Sequence, residues 1–200
     1  MPISVDLYKL LEQSASLHRG RLCPRQVLGV RMGLYALELL ELADTLQAGH
    51  LITDQRSLLT ILETDGCFTD GISTATGCTV GRRSLRIEDY GKVAGSFVNL
   101  KTEQALRLAP QPGVRALAHS YAETQADRYQ AQLAGYQVMP AEALFVVQPV
   151  VLRQSLDEIL SQPGKRVNCV GCGEEIMNDR QVAAQAGPLC RACAGKAYYA

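Results

Sequence analysis

Four of the seven cysteines lie in the last 32 residues and have the spacing of a metal site. They form two Cys-x2-Cys pairs separated by seventeen residues: Cys169, Cys172, Cys190 and Cys193. Two intervening residues let both sulfurs of a pair reach one ion, and zinc accepts four thiolates tetrahedrally. Gly171 and Gly173 suit a tight turn whose N–H groups donate to the sulfurs. We predict a closed, structural zinc site, with a disulfide pair, a redox Cys-x2-Cys and an iron–sulfur centre as alternatives.

The other three cysteines and one histidine are candidates for a second metal site. His18, Cys23, Cys67 and Cys78 all lie where predicted helices or strands begin or end. Element ends commonly carry functional side chains, and a mixed Cys/His set suits zinc or a similar metal. The alternative is structural, because a single buried cysteine usually acts as a small hydrophobic residue.

The segment 77–84 resembles an anion-binding loop without matching a known phosphate motif. Only three residues separate Gly77 from Gly81, and Arg82 occupies the position that a Walker A lysine would take. Loop N–H groups together with Arg82 or Arg83 could still hold an anion. The alternative is that both arginines form salt bridges or a solvated edge.

The composition narrows the class of protein. Hydrophobic residues make up 47 % and charged residues 20 % of the 200 residues, which predicts a folded globular protein. The formal net charge of zero argues against a general nucleic-acid binder. No apolar run approaches the roughly 18 residues that a membrane span needs. The N-terminus lacks the pattern of a signal peptide, so we expect a cytoplasmic protein with reduced or metal-bound cysteines.

The pattern of elements predicts an α+β domain that mixes helices with an antiparallel sheet, followed by a small metal module. We place the domain at 1–162 and the zinc ribbon at 163–200, with a Pro-Gly linker at the boundary. The ribbon is too short for its own apolar core, so metal binding must supply its folding energy.

Within the main domain, helices come first, strands follow and helices return, which favours α+β over a doubly wound sheet. Gly29 and Gly33 share one face of a central helix, which predicts either tight packing or the approach of a site or a second protomer. The predicted helices span 4–17, 24–46, 67–76, 113–134, a short stretch after Pro140, and 154–161. The predicted strands lie at 57–64, near 85–87, 93–99 and 105–109, and at 146–152.

Five motifs follow one another along the chain: Leu22-Cys23-Pro24, Leu28-Gly29-Val30-Arg31-Met32-Gly33, Glu63-Thr64-Asp65-Gly66-Cys67, Thr76-Gly77-Cys78-Thr79-Val80-Gly81 and Glu88-Asp89-Tyr90-Gly91-Lys92-Val93-Ala94. They cover roughly residues 15–100. In sequence and order they resemble the FmdE family of formylmethanofuran dehydrogenase proteins, as does a further stretch at 132–140, and some members of that family carry a C-terminal zinc ribbon.

The resemblance implies an α+β fold, an intertwined homodimer and a shared cleft. It implies that His18, Cys23 and Cys67 line this cleft around a metal, with Cys78 nearby. The chain departs from the family pattern at Arg21, where many relatives have a histidine, and at Arg25, where they have glycine.

Three functional hypotheses follow. The resemblance favours a zinc-binding accessory or regulatory protein of a molybdenum or tungsten formylmethanofuran dehydrogenase-like enzyme, because the chain shows no ferredoxin-type cysteine run for that reaction itself. A second hypothesis is a small metalloenzyme with an open Cys/His site and an arginine that holds an anionic substrate. A third is a nucleic-acid-binding regulator that uses the ribbon.

Overall fold

A computed structural model describes residues 6–43, 46–47, 50–51, 57–125, 127–160 and 164–199 of the chain. The chain divides into two compact units, Met1–Val151 and Leu152–Ala200. No helix in the described part has the length and apolarity that a bilayer crossing requires. Residues 4–5 of the first predicted helix and 161–163 of the predicted linker lie outside the described residues.

The first unit combines helices with one main sheet. Its helices are α1 (Leu7–Ser16), α2 (Pro24–Leu39), α3 (Cys67–Thr76), α4 (Val114–Ser120), α5 (Arg128–Val138) and α6 (Ala141–Leu144). Its strands are β1 (Leu46–Gln47), β2 (His50–Leu51), β3 (Leu58–Leu62), β4 (Leu85–Ile87), β5 (Gly95–Asn99), β6 (Ala105–Pro110) and β7 (Phe145–Pro149).

Five strands form the sheet in the order β4-β3-β5-β6-β7. β3 and β4 run parallel and are joined through α3, whereas the other neighbours are antiparallel. A parallel pair needs such a crossover, because a tight hairpin can only join antiparallel strands. The predicted α+β class is confirmed, whereas the sheet, which was predicted to be antiparallel, contains one parallel pair, β3 and β4.

Helices α2 and α3 pack unusually closely through glycine. A Cβ atom at Gly29 would overlap the Phe68 carbonyl oxygen and lie 3.0 Å from the Cα of Gly71. A Cβ at Gly33 would lie 2.8 Å from that of Ala75. The prediction of tight packing at these glycines is confirmed, and the contact fixes the first residues of both helices relative to each other.

Two helix predictions were wrong in extent. The helix predicted over 113–134 is instead two helices: α4 ends at Ser120, and α5 begins at Arg128 after the extended N-cap residue Asp127. The Asp127 carboxylate accepts a hydrogen bond from the Gln130 N–H at 3.1 Å and so caps α5. The helix predicted to reach residue 46 ends at Leu39, and Glu41 just beyond it has a left-handed φ of 55°.

The second unit is built from short hairpins. Its elements are α7 (Leu156–Leu160), β8 (Arg166–Asn168), β9 (Glu175–Met177), β10 (Val182–Ala184), β11 (Gly187–Leu189) and a helical turn over Ala192–Lys196. β8 pairs with β9 and β10 pairs with β11, both antiparallel. One Cys-x2-Cys pair lies between β8 and β9, and the other begins directly after β11.

Candidate metal centre and thiol cleft

The four C-terminal cysteines converge in the second unit. The sulfurs of Cys169, Cys172, Cys190 and Cys193 all lie within 4.8 Å of one another. The Cys172 and Cys190 sulfurs are 3.9 Å apart. A zinc ion with bonds of about 2.3 Å places tetrahedral sulfurs about 3.8 Å apart, so these residues fit such an ion. The four predicted ligands thus form one cluster that could hold a metal ion.

Backbone N–H groups surround this cluster. The Cys190 and Gly171 N–H groups donate to the Cys169 sulfur at 3.2 and 3.4 Å, and the Cys193 N–H donates to the Cys190 sulfur at 3.3 Å. The Cys190 N–H, followed by that of Cys172, lowers the pKa of Cys169 to about 6. Hydrogen bonds with the neighbouring cysteines, Cys190 first, raise the pKa of Cys193 to about 12. The lowered pKa of Cys169 favours its thiolate, which is the form that binds a metal.

Cys23 and Cys67 meet in a cleft of the first unit. Cys23 is the N-cap of α2 and Cys67 is the first residue of α3, so the close α2–α3 packing brings them together. The Gln26 side-chain oxygen accepts a hydrogen bond from the Cys23 N–H at 2.9 Å and holds this turn. Both cysteines line a cavity of about 520 Å³. Burial, followed by a hydrogen bond with Cys23, raises the pKa of Cys67.

His18 and Cys78 occupy different surroundings. The His18 Nε2 lies 2.6 Å from Asp70 Oδ2, one helical turn beyond Cys67. Cys78 is only 4 % exposed, and its sulfur lies 3.7 Å from the Leu58 carbonyl oxygen. Burial raises the pKa of Cys78. Of the four residues predicted for a cleft metal, the structure joins Cys23 and Cys67. Among the described residues, only the C-terminal cluster brings three or more such ligand atoms within 4.8 Å.

Arg82 and Arg83 lie in the turn before β4, outside the residues that line the cleft. Arg82 is exposed, and its N–H donates to the Thr79 hydroxyl at 3.3 Å. The cleft instead contains Arg25 and Arg115. Anion binding at the 77–84 turn stays a prediction.

Sequence reasoning missed the wall that α5 contributes to the cleft. Tyr129, Gln132 and Tyr136 line the cavity at positions i, i+3 and i+7, which share one helix face. The sequence spacing of these three residues indicates a shared helix face, but it does not indicate which part of the protein that face contacts. Arg31 of α2 anchors the end of α5 by donating to the carbonyl oxygens of Tyr136, Gln137 and Met139 at 3.0, 2.7 and 2.6 Å.

An ion pair between Glu63 and Arg107 fixes the segment that leads to Cys67. Glu63 follows β3, and its two carboxylate oxygens accept from Arg107 Nε and Nη2 of β6 at 2.6 and 2.8 Å. This bidentate pair holds the start of the Glu63–Cys67 motif against the sheet. The thiol of Cys67 is thus positioned from both sides, by the sheet and by α2.

Comparison with protein families agrees with this geometry. Residues 18–160 match the model described as FmdE, Molybdenum formylmethanofuran dehydrogenase operon. The chain belongs to the FmdE family. Residues 164–199 match a second model, the prokaryotic dksA/traR C4-type zinc finger, which covers all four C-terminal cysteines. The family resemblance inferred from the motifs is confirmed.

Two individual proteins resemble this FmdE-family chain. A probable S-adenosyl-L-methionine-binding protein of Archaeoglobus fulgidus is 37 % identical over 102 residues, which is 51 % of this chain and 26 % of that protein. The chain thus spans about a quarter of that curated relative. The crystal structure of a tungsten formylmethanofuran dehydrogenase FmdE-like protein from Syntrophus aciditrophicus matches with a TM-score of 0.57 and 21 % identity. That match covers 99 % of this chain and 97 % of the other, and it shows the shared fold.

Proposed function

We propose that this protein is a zinc-binding accessory or regulatory protein of a molybdenum or tungsten formylmethanofuran dehydrogenase-like enzyme. Membership of the FmdE family over residues 18–160 carries the proposal, because that family is described by the molybdenum enzyme's operon. The four-thiolate cluster supports the zinc, since all its ligands come from the protein and leave no open coordination position. The zinc therefore stabilises the ribbon, and recognition or chemistry falls to the FmdE domain.

Metal analysis of full-length variants tests the zinc. We expect the wild-type chain to hold zinc and the double variant Cys172→Ser/Cys193→Ser to lose one equivalent, since two ligands would remain. The control is Cys78→Ser, which replaces a buried cysteine outside the cluster. Retention of the full zinc content by the double variant would refute the ribbon assignment.

Affinity purification from the native organism tests the accessory role. The tagged wild-type chain should co-purify with a molybdenum- or tungsten-containing oxidoreductase, identified by elemental analysis and mass spectrometry of the eluate. We also propose that the chain is a homodimer, which light scattering on the purified protein measures. An eluate without molybdenum or tungsten, from cells that express such an enzyme, would refute the association.

A second candidate function is a small metalloenzyme whose metal is held in the cleft. The meeting of Cys23 and Cys67 in one cavity favours it, because two thiols can bind a zinc-like ion and leave positions for water or substrate. Metal analysis of Cys23→Ser/Cys67→Ser distinguishes the two sites. Loss of a second equivalent, additional to the ribbon zinc, would support a cleft metal, and an unchanged metal content would exclude one under the conditions used.

A further inference from the structure

The thiol cleft is positively charged. Arg25 and Arg115 line it, whereas no aspartate or glutamate is among the described lining residues. Neither arginine side chain belongs to an ion pair among the described residues. Both residues are exposed, and two guanidinium groups beside one cavity attract an anion and can bind its oxygens in a bidentate manner.

Tyr136 is among the residues that line the same cavity, but its hydroxyl is buried behind the wall and closed off from the cavity space. Tyr136 is 1 % exposed, and its hydroxyl has no hydrogen-bond partner among the described residues. Such a group destabilises a folded protein unless it is satisfied by something else. Burial raises the pKa of Tyr136, and Arg115 lies close enough to oppose that shift. At neutral pH the phenol is therefore a hydrogen-bond donor beside a guanidinium group.

The remaining lining is largely apolar. Leu28, Val93, Pro110 and Val114 form walls of the cavity. Its volume of about 520 Å³ lies within the range of small-molecule sites, roughly 300–1,000 Å³. Apolar walls with a few polar groups at one place favour a ligand with an apolar body and one polar head.

We propose that this cleft binds a small organic anion, whose apolar body packs against Leu28, Val93 and Val114. Its oxyanion head accepts hydrogen bonds from Arg115 and, once the ligand displaces the wall that covers it, from the Tyr136 hydroxyl. The ligand then lies in the same cavity as Cys23 and Cys67. Arg25, on the cysteine side, adds attraction for negative charge. The inference depends on the cleft alone, and it holds with or without a metal at the cysteines and with or without an oxidoreductase partner.

Calorimetric titration of the full-length protein tests this inference. The probes are hexanoate and monohexyl phosphate, which differ in the oxyanion, and hexanol, which has the apolar body without a charge. We expect saturable binding of at least one anion, with a Kd on the order of 1 mM, and binding of hexanol about tenfold weaker or worse. The preferred anion identifies the head group. Equal affinity for hexanol, or no saturable binding of either anion, would overturn the proposal.

Two variants locate the head group. Arg115→Met should weaken anion binding about tenfold, whereas Arg82→Met, which removes an exposed arginine outside the cleft, should leave it unchanged. Tyr136→Phe should weaken binding about threefold to tenfold without lowering the melting temperature, since the hydroxyl has no partner among the described residues to lose. Equal effects of the two arginine variants, or a Tyr136→Phe affinity equal to wild type, would refute the placement. Zinc content measured on each sample separates damage to the ribbon from a change in the cleft.

Discussion

Replacing Gly29 with alanine should destabilise the main domain and disturb the thiol cleft at the same time. Gly29 faces α3, and an added Cβ would overlap the Phe68 carbonyl oxygen and lie 3.0 Å from both the Gly71 Cα and the Ile72 nitrogen. These neighbours are backbone atoms, so no side-chain rotation can make room. The two helices would have to separate, which would also move Cys23 and Cys67 at their N-terminal ends.

The expected loss in free energy of unfolding follows from two opposing effects. Alanine favours a helix interior by about 1 kcal/mol over glycine. Overpacking typically costs roughly 1–3 kcal/mol, and we take about 3 kcal/mol because the obstruction is backbone. The net loss is therefore about 2 kcal/mol. Gly33→Ala should cost less, because its nearest contacts, Ala75 Cβ at 2.8 Å and Thr76 Cγ2 at 3.1 Å, are longer than the overlap of a Gly29 Cβ with the Phe68 oxygen.

Urea denaturation of the full chain, followed by circular dichroism at 222 nm, measures this loss. The helices α1–α6 all lie in the first unit, so the helical signal mainly reports its unfolding. Gly29→Ala should lower the midpoint by about 1 M. The control is Gly81→Ala, because a Cβ there meets nothing within 4 Å. We expect that variant to be neutral or slightly more stable. If Gly29→Ala were as stable as Gly81→Ala, the close α2–α3 contact would be refuted.

Three further predictions concern the metal site and α5. Removing the metal with a strong chelator should unfold β8–β11 while most of the 222 nm signal survives, since the helices α1–α6 lie in the other unit. Limited proteolysis should then cut only the C-terminal unit, and loss of the whole 222 nm signal would contradict this prediction. Zinc affinity, measured with a competing chelator, should fall as the pH drops, because zinc must displace the protons of Cys193 and Cys172, whose pKa values are raised. The fall should steepen below about pH 6, where Cys169 is also protonated, and a constant affinity between pH 7 and 5 would contradict this. Arg31→Lys should lower the free energy of unfolding of the first unit, measured by urea denaturation, by about 2 kcal/mol, because one ammonium group cannot replace a guanidinium that binds three carbonyl oxygens. A loss below about 0.5 kcal/mol would contradict that role of Arg31.

Sequence reasoning succeeded where local chemistry determines the structure. The helix over 67–76 was predicted with the bounds it has, because the chain supplies a glycine at each end. The four-thiolate cluster was predictable from spacing alone, since each pair needs only a tight turn to bring its sulfurs together. The Gly29 contact was predictable because glycine in a helix interior lowers stability unless something packs closely against it.

The same reasoning could not assemble the cleft, because its residues come from elements far apart in sequence. Cys23 and Cys67 meet only through the crossing of α2 over α3, and their pairing depends on Gly29 and Gly71 together. The break between α4 and α5 was missed because apolar positions continue across it, and the Asp127 cap becomes decisive only once α5 packs in place. Tertiary contacts therefore overrode a continuous helical pattern.

Tyr136 connects the placement of α5 with the function of the cleft. Arg31 binds the carbonyl oxygen of Tyr136 itself at 3.0 Å, so α2 holds this residue by its backbone while the phenol stays in the cavity wall. A phenylalanine there would keep the packing and avoid an unsatisfied hydroxyl, which typically costs about 1–3 kcal/mol. Stability alone thus favours phenylalanine, whereas a ligand that accepts a hydrogen bond favours tyrosine. If Tyr136→Phe raises the melting temperature and weakens anion binding in the same sample, the hydroxyl serves the ligand at the expense of the fold.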